Sequence, residues 1–177
     1  MNPAPDLTEE YCSSDSVLSP EDCANLTSAG KSPEEVLDDL VRLTQSRLQV
    51  DASSIYLLEP DRATLVLAAT VGLDAKGVGS VRMNVREGLV GIAAERLEPF
   101  TVNEAASHPR YKYFSELAEE QFHSFLGVPV IDRGLLQGVL TVQTREPRVF
   151  SDMESQALVT AAEQFSPVIS EARDLEQ

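Results

Sequence analysis

At 177 residues with 42% hydrophobic content, the chain has the length of one domain with a tail, and a domain of roughly 150 residues buries about 70% of its unfolded surface without a covalent staple. The formal net charge of −15 disfavours nucleic acid and anionic membrane as partners, because both require clustered Lys and Arg. No apolar run reaches the roughly 18 residues of a membrane span, and the acidic opening MNPAPDLTEE is unlike a signal peptide, so the chain is expected to be cytoplasmic.

Residues 1–31 carry six acids against one lysine and few aliphatics, which reads as an acidic leader, flexible or partly helical. The only cysteines, Cys12 and Cys23, lie in it without a nearby histidine. They do not form a zinc pattern, and they stand either as free thiols or as a disulfide. The ordered domain is expected over 32–174. Ser32, Pro33 and Glu35 form a helix-opening capping box. Val36, Leu37, Leu40, Val41, Leu43 and Leu48 then recur at helical spacing, predicting an amphipathic helix of about 17 residues. SSIYLLE and ATLVLAATVG read as strands joined through the turn residues Glu59-Pro60-Asp61-Arg62.

A short strand follows within VRMNVREG, then a helix entered near Glu87-Gly88 and running to about Arg96, then the strand FTVN. Residues 103–121 are irregular, with His108 held extended by Pro109 and a short helix expected from Ser115 to Gln121. Connections this long within a domain are commonly functional. HSFLGVPVI and LLQGVLTVQT are strands around Asp132-Arg133-Gly134, read as a three-residue turn with Gly134 left-handed. Gly127 and Gly138 allow close backbone approach or a bulge, and Pro129 is expected at an edge or bulge. Ser151 and Glu154 open a final amphipathic helix that Pro167 should kink or interrupt. Hairpin-linked strands cannot lie side by side in an all-parallel sheet. The expected fold is therefore α+β, with a mostly antiparallel sheet, both long helices on one face, and the irregular segment on the other.

The stretch SFLGVPVIDRGLLQGVLTVQ resembles the signature hairpin of GAF domains. Over about residues 33–170, and most specifically in HPRYKY and FHSFLGVPV, the chain resembles the N-terminal GAF domain of enzyme I of nitrogen-type phosphotransferase systems. That resemblance implies a six-stranded antiparallel sheet with helices behind, a small-molecule pocket in front, and a regulatory input role linked to nitrogen metabolites. It also implies that the phosphotransferase chemistry lies in longer C-terminal domains beyond Gln177, so no enzyme activity is expected of this chain. An excised domain and a free-standing sensor both fit.

Adjacent side chains on a strand diverge, so His123 and Ser124 are not expected to form a nucleophile pair. His123 either bonds a neighbouring backbone group or contacts a ligand. A site using His108 and His123 would need Glu119 or Glu120 to hold a metal; no metal or cofactor is expected. Arg110, Tyr111, Lys112, Tyr113 and Phe114 either wall a pocket and neutralise an acidic ligand or merely cover the sheet. Between Val71 and Lys112 the chain has six cations against five acids, consistent with a small anion or amino acid as ligand. The candidate ligand contacts are Tyr56, Asn103, His108, Arg110, Tyr111, Tyr113, Phe114, His123 and Phe125. The expected ligand is a small metabolite: an amino acid, a 2-oxoacid or a nucleotide.

Among GAF subsets, the cyclic-nucleotide motif is met by Asn103, Lys112, Phe114 and Glu119, but Ala118 replaces its aspartate. Bilin attachment lacks a cysteine after Cys23, and methionine-sulfoxide reductase chemistry would require the leader cysteines to fold back. The alternative to a sensor is a structural dimerisation module with a filled pocket. The terminal helices are the expected homodimer surface in either case.

Overall fold

The computed structural model describes residues 22, 25–26, 30–112 and 122–175. The first helix, α1 (Pro33–Leu48), opens on the predicted capping box. Ser32 Oγ accepts from the Glu35 amide at 3.2 Å, and the Ser32 amide donates to Glu35 Oε2 at 3.0 Å. Its stripe of Val36, Leu37, Leu40, Val41, Thr44 and Leu48 is buried.

Strands β1 (Ala52–Leu58) and β2 (Thr64–Val71) follow. In the turn between them the Asp61 carboxylate accepts from the Ala63 and Thr64 amides and from Thr64 Oγ1. These donors, the Ala63 amide foremost, hold its carboxyl below the usual value. Next come β3 (Arg82–Asn84), α2 (Gly88–Arg96), β4 (Phe100–Val102), β5 (Ser124–Asp132), β6 (Leu135–Thr144) and α3 (Asp152–Leu175). The strands form one six-stranded sheet in the order β3-β2-β1-β6-β5-β4, and every neighbouring pair is antiparallel.

Alternation along the strands divides the interior into two cores. Behind the sheet, Ile55, Leu57, Leu126, Val128, Val130, Leu140 and Val142 pack against α1 and α3. In front, Tyr56, Leu58, Leu65, Leu67, Phe125 and Val139 pack against α2, Val81, Met83, Ala105 and Phe122. The front face is thus shared between the irregular segment and α2, rather than left to the segment alone. Because both faces are covered, all seven residues of β1 are buried.

The hairpin differs from its sequence reading in one residue. Asp132 pairs with Leu135, so the loop is the two-residue Arg133-Gly134, with φ of 52° and 77°. A two-residue loop whose strands twist normally requires both positions to be left-handed. The extra residue falls instead in β6. Val130 faces Gly138 while Ile131 faces Leu136, leaving Gln137 as a bulge. Gln137 Oε1 there accepts from Arg173 Nη1 at 2.9 Å, and Arg173 also donates to the Leu58 and Glu59 carbonyls. This fixes the far end of α3 to the sheet. Gly138 is needed for the close approach expected of it, since a Cβ there would overlap the Tyr56 carbonyl oxygen.

Helix α3 runs through Pro167. The Glu163 carbonyl, which loses its usual amide partner to the proline, accepts from Ser166 Oγ at 3.0 Å. At the other end, Ser151 and Glu154 form the predicted reciprocal pair, each bond 3.1 Å. Arg148 joins the two long helices. Its guanidinium donates to the Leu48 and Gln49 carbonyls at the end of α1 and pairs with Glu154. It also lies 5.0 Å from the Phe150 ring centroid.

Two described residues before Ser32 touch the domain. Leu26 is buried in the rear core, and Asp22 pairs with both terminal nitrogens of Arg47 at 3.1 Å. Cys12, Cys23 and the expected helix from Ser115 to Gln121 lie outside the described residues.

Two stability predictions follow from this packing. Gly138→Ala should cost about 3 kcal/mol in urea unfolding, because a methyl group is forced against backbone. Partial burial raises the Glu154 carboxyl, but the Ser151 amide and hydroxyl and the Arg148 charge outweigh it and hold the group below the usual glutamate value. A lowered folded-state value gives stability that is fully present above the unfolded value and is lost as pH falls through the folded one. Unfolding free energy should therefore decline below about pH 4.5, and Glu154→Gln should flatten that part of the decline.

Candidate functional site

Among the described residues, the front core borders a small cavity. Its wall is built from Tyr56 of β1, Met83 of β3, Phe125 of β5, Gln143 of β6, the first turn of α2 (Gly88, Leu89, Val90), and Tyr111 and Lys112 of the irregular segment. The enclosed space is about 20 Å³, enough for roughly one water molecule. Three large rings, of Tyr56, Tyr111 and Phe125, line it.

Two sets of polar groups border this space. Gln143 is only 6% exposed, and no hydrogen bond engages its side-chain amide among the described residues. The second set is the start of α2. The first amides of a helix have no acceptor within it, and Glu87 at the N-cap makes no side-chain capping bond. The amides of Gly88, Leu89 and Val90 thus have no acceptor among the described residues.

The irregular segment is strapped along α2. His108 stacks edge-on against Phe100, with centroids 5.4 Å apart, and its Nδ1 accepts from the Arg110 amide at 3.1 Å. Arg110 pairs with Glu95 at 2.9 Å and donates to the Arg86 carbonyl. Lys112 pairs with Glu87 at 2.5 Å. The near balance of charge between Val71 and Lys112 is partly accounted for by these pairs, which tie the segment to both ends of α2. Among the described residues, no group of three or more His, Cys, Asp or Glu side chains is placed to hold a metal ion. No described helix is long and apolar enough to cross a membrane.

Of the predicted contacts, Tyr56, Tyr111 and Phe125 meet at the cavity. His108 and Arg110 hold the segment in place behind it. Asn103 is exposed, and its carbonyl accepts from Ser124 Oγ at 3.2 Å. His123 lies at the surface, 48% exposed, with Nδ1 3.1 Å from Glu104 Oε2. Tyr113 and Phe114 lie outside the described residues. The sequence reading missed Met83, Gln143 and the open turn of α2. Gln143 was detectable as the amide in the alternating series Val139, Thr141, Gln143, and the open turn as a helix start without Ser, Thr, Asp or Asn at its cap.

A six-stranded antiparallel sheet with two helices behind it and a third helix roofing a small cavity in front is the architecture of a sensor-type α+β module. The chain belongs to the GAF domain family, whose model matches residues 30–170. A phosphoenolpyruvate-dependent phosphotransferase system protein of Escherichia coli is 37% identical over 139 residues, which is 78% of this chain but 19% of that protein. A Nif-specific regulatory protein of Azospirillum lipoferum is 27% identical over 112 residues, 62% of this chain and 18% of its own. The chain therefore spans about a fifth of the length of the curated relatives it matches. The solved GAF domain of a phosphoenolpyruvate-protein phosphotransferase from Coxiella burnetii superposes with a TM-score of 0.79 at 35% identity, covering 88% of this chain and 93% of that one. A free methionine-R-sulfoxide reductase from Neisseria meningitidis has a TM-score of 0.72 at 17% identity, covering 88% of each chain. At that identity the likeness shows the shared fold alone.

Mutation should separate the interior of the site from its surface. Phe125→Ala should cost about 3–5 kcal/mol in chemical denaturation. His123→Ala, which removes only an exposed pair, should change stability by less than about 0.5 kcal/mol.

Proposed function

We propose that this chain is a regulatory input domain that binds a small metabolite in its front cavity and has no catalytic role of its own. The supporting observation is that the carboxamide of Gln143 and the first turn of α2, whose cap residue makes no side-chain bond, border one space. Helix-end amides without a side-chain cap and a carboxamide beside them are polar groups that a small ligand can engage. The similarity to the E. coli and C. burnetii phosphotransferase proteins and to the Azospirillum regulator supports a role in nitrogen-linked signalling.

The route outward runs through Ser124. Its hydroxyl donates to the Asn103 carbonyl at the start of the segment and accepts from the Arg148 amide at 2.6 Å. Arg148 in turn holds the end of α1 and the start of α3. A ligand that favours one arrangement of the segment shifts both helices only to the extent of its differential affinity for the two arrangements. Thermal shift against amino acids, 2-oxoacids and nucleotides should find a stabiliser. A panel of these classes that leaves the melting temperature unmoved would sink the proposal.

The small cavity favours a second reading: a dimerisation module whose hollow is filled by Tyr56, Tyr111 and Phe125. That reading expects a concentration-dependent mass in sedimentation and no stabilising ligand. A monomer whose melting point responds to a metabolite excludes it.

A further inference from the structure

We propose that Val17 and Leu18 of the chain's own acidic leader dock in the groove between the end of α1 and the start of α3, clasping the two helix ends that Arg148 joins. The inference is independent of the ligand reading, since this groove lies behind the sheet. Its lining is Arg47, Leu48 and Gln49 at the end of α1 and Met153, Glu154 and Ala157 at the start of α3. The two most exposed large hydrophobics among the described residues stand here, Val149 at 77% and Met153 at 61%. Met153 lines the groove, and Val149 follows Arg148, whose guanidinium holds the Leu48 and Gln49 carbonyls. A single exposed apolar side chain is ordinary; two beside one groove call for a cover.

The path of the leader supplies one. Lys31 pairs with Asp39 in the middle of α1 at 2.8 Å, and Leu26 borders the same surface groove as Leu43. Asp22 pairs with Arg47 in the last turn of α1 at 3.1 Å. Followed from Lys31 back to Asp22, the leader therefore runs along α1 toward Leu48. Residues before Asp22 are delivered at Arg47, which itself lines the groove between the helices. Residues 1–21 lie outside the described residues. Leu18 is four positions from Asp22, a reach of up to about 13 Å. Packed helix axes are about 8–10 Å apart, so this reach carries Leu18 from α1 across to Met153.

Composition selects the occupant. Val17-Leu18 is the only adjacent pair of Val, Leu or Ile in residues 1–31, and its neighbours Ser16 and Ser19 are uncharged. The groove's two charged members, Arg47 and Glu154, already pair with Asp22 and Arg148. An uncharged apolar segment covers Leu48, Met153 and Ala157 without stranding either charge. The groove measures about 300 Å³, roughly ten liquid-water volumes, which suits a pair of aliphatic side chains.

The test uses the full chain with ¹³C-methyl methionine, which places one reporter in the groove, Met153, and one in the front core, Met83. Val17→Ser combined with Leu18→Ser should shift the Met153 methyl signal and leave Met83 in place, which also checks folding. In a Cys12→Ser, Cys23→Ser background, Leu18→Cys with Met153→Cys should close a disulfide within one chain on mild oxidation. A Met153 methyl that the double serine variant leaves unmoved overturns the proposal, as does failure of the disulfide to close. A disulfide that forms mainly between chains shows that the occupant is a second copy's leader, and the intramolecular clasp falls.

Discussion

A central strand buried on both sides governs this molecule. β1 has β2 on one edge and β6 on the other, and all seven of its residues are buried. Such a strand is stable only if each face of the sheet is covered by a separate apolar layer. The rear layer is supplied by the two long helices. The front layer is supplied by the short helix α2 and the segment after β4. Because α2 has only nine residues, it cannot cover the whole front of a six-stranded sheet. The cavity lies beside it, where the first turn of α2 meets Tyr111 and Lys112 of the segment.

The two layers are connected at few points, which makes the connections mechanically significant. Ser124 lies at the start of β5 and bonds to backbone on both sides, Asn103 in front and Arg148 behind. Arg148 is surrounded by acceptors from α1 and by Glu154 of α3. It neutralises the carbonyl end of one helix while pairing with the capping residue of the other, a favourable place for a cation and an anion respectively. Ser124 and Arg148 thus form a hydrogen-bonded link between the front segment and the two rear helices.

Much of the architecture was legible because the local signals agree with one another. The capping boxes at Ser32 and Ser151, the helical stripes, the six strands and the glycine positions were all readable at short range. The exceptions share a cause. The turn at Arg133-Gly134 was read one residue too long because the bulge that compensates for it, at Gln137, depends on strand register. Leu26 was placed in a leader because scattered leucines among polar residues show no periodicity, although Leu26 packs into the rear core. At the site, the sequence pointed to the aromatic and basic run after His108, and Tyr56, Tyr111 and Phe125 do converge. It could not show that Arg110 and Lys112 are paired with Glu95 and Glu87, since those partners lie 15 and 25 positions away.

The sequence by itself determined the class of fold, the packing side of the terminal helices and the GAF resemblance, because period, caps and turn residues act over a few positions. Tertiary structure decided the location of α2 on the front face, the surface position of His123, and the burial of Gln143 beside an uncapped helix start. Each of these depends on which side chains from distant strands share one volume, and that is set only when the sheet has its register and both layers have closed over it.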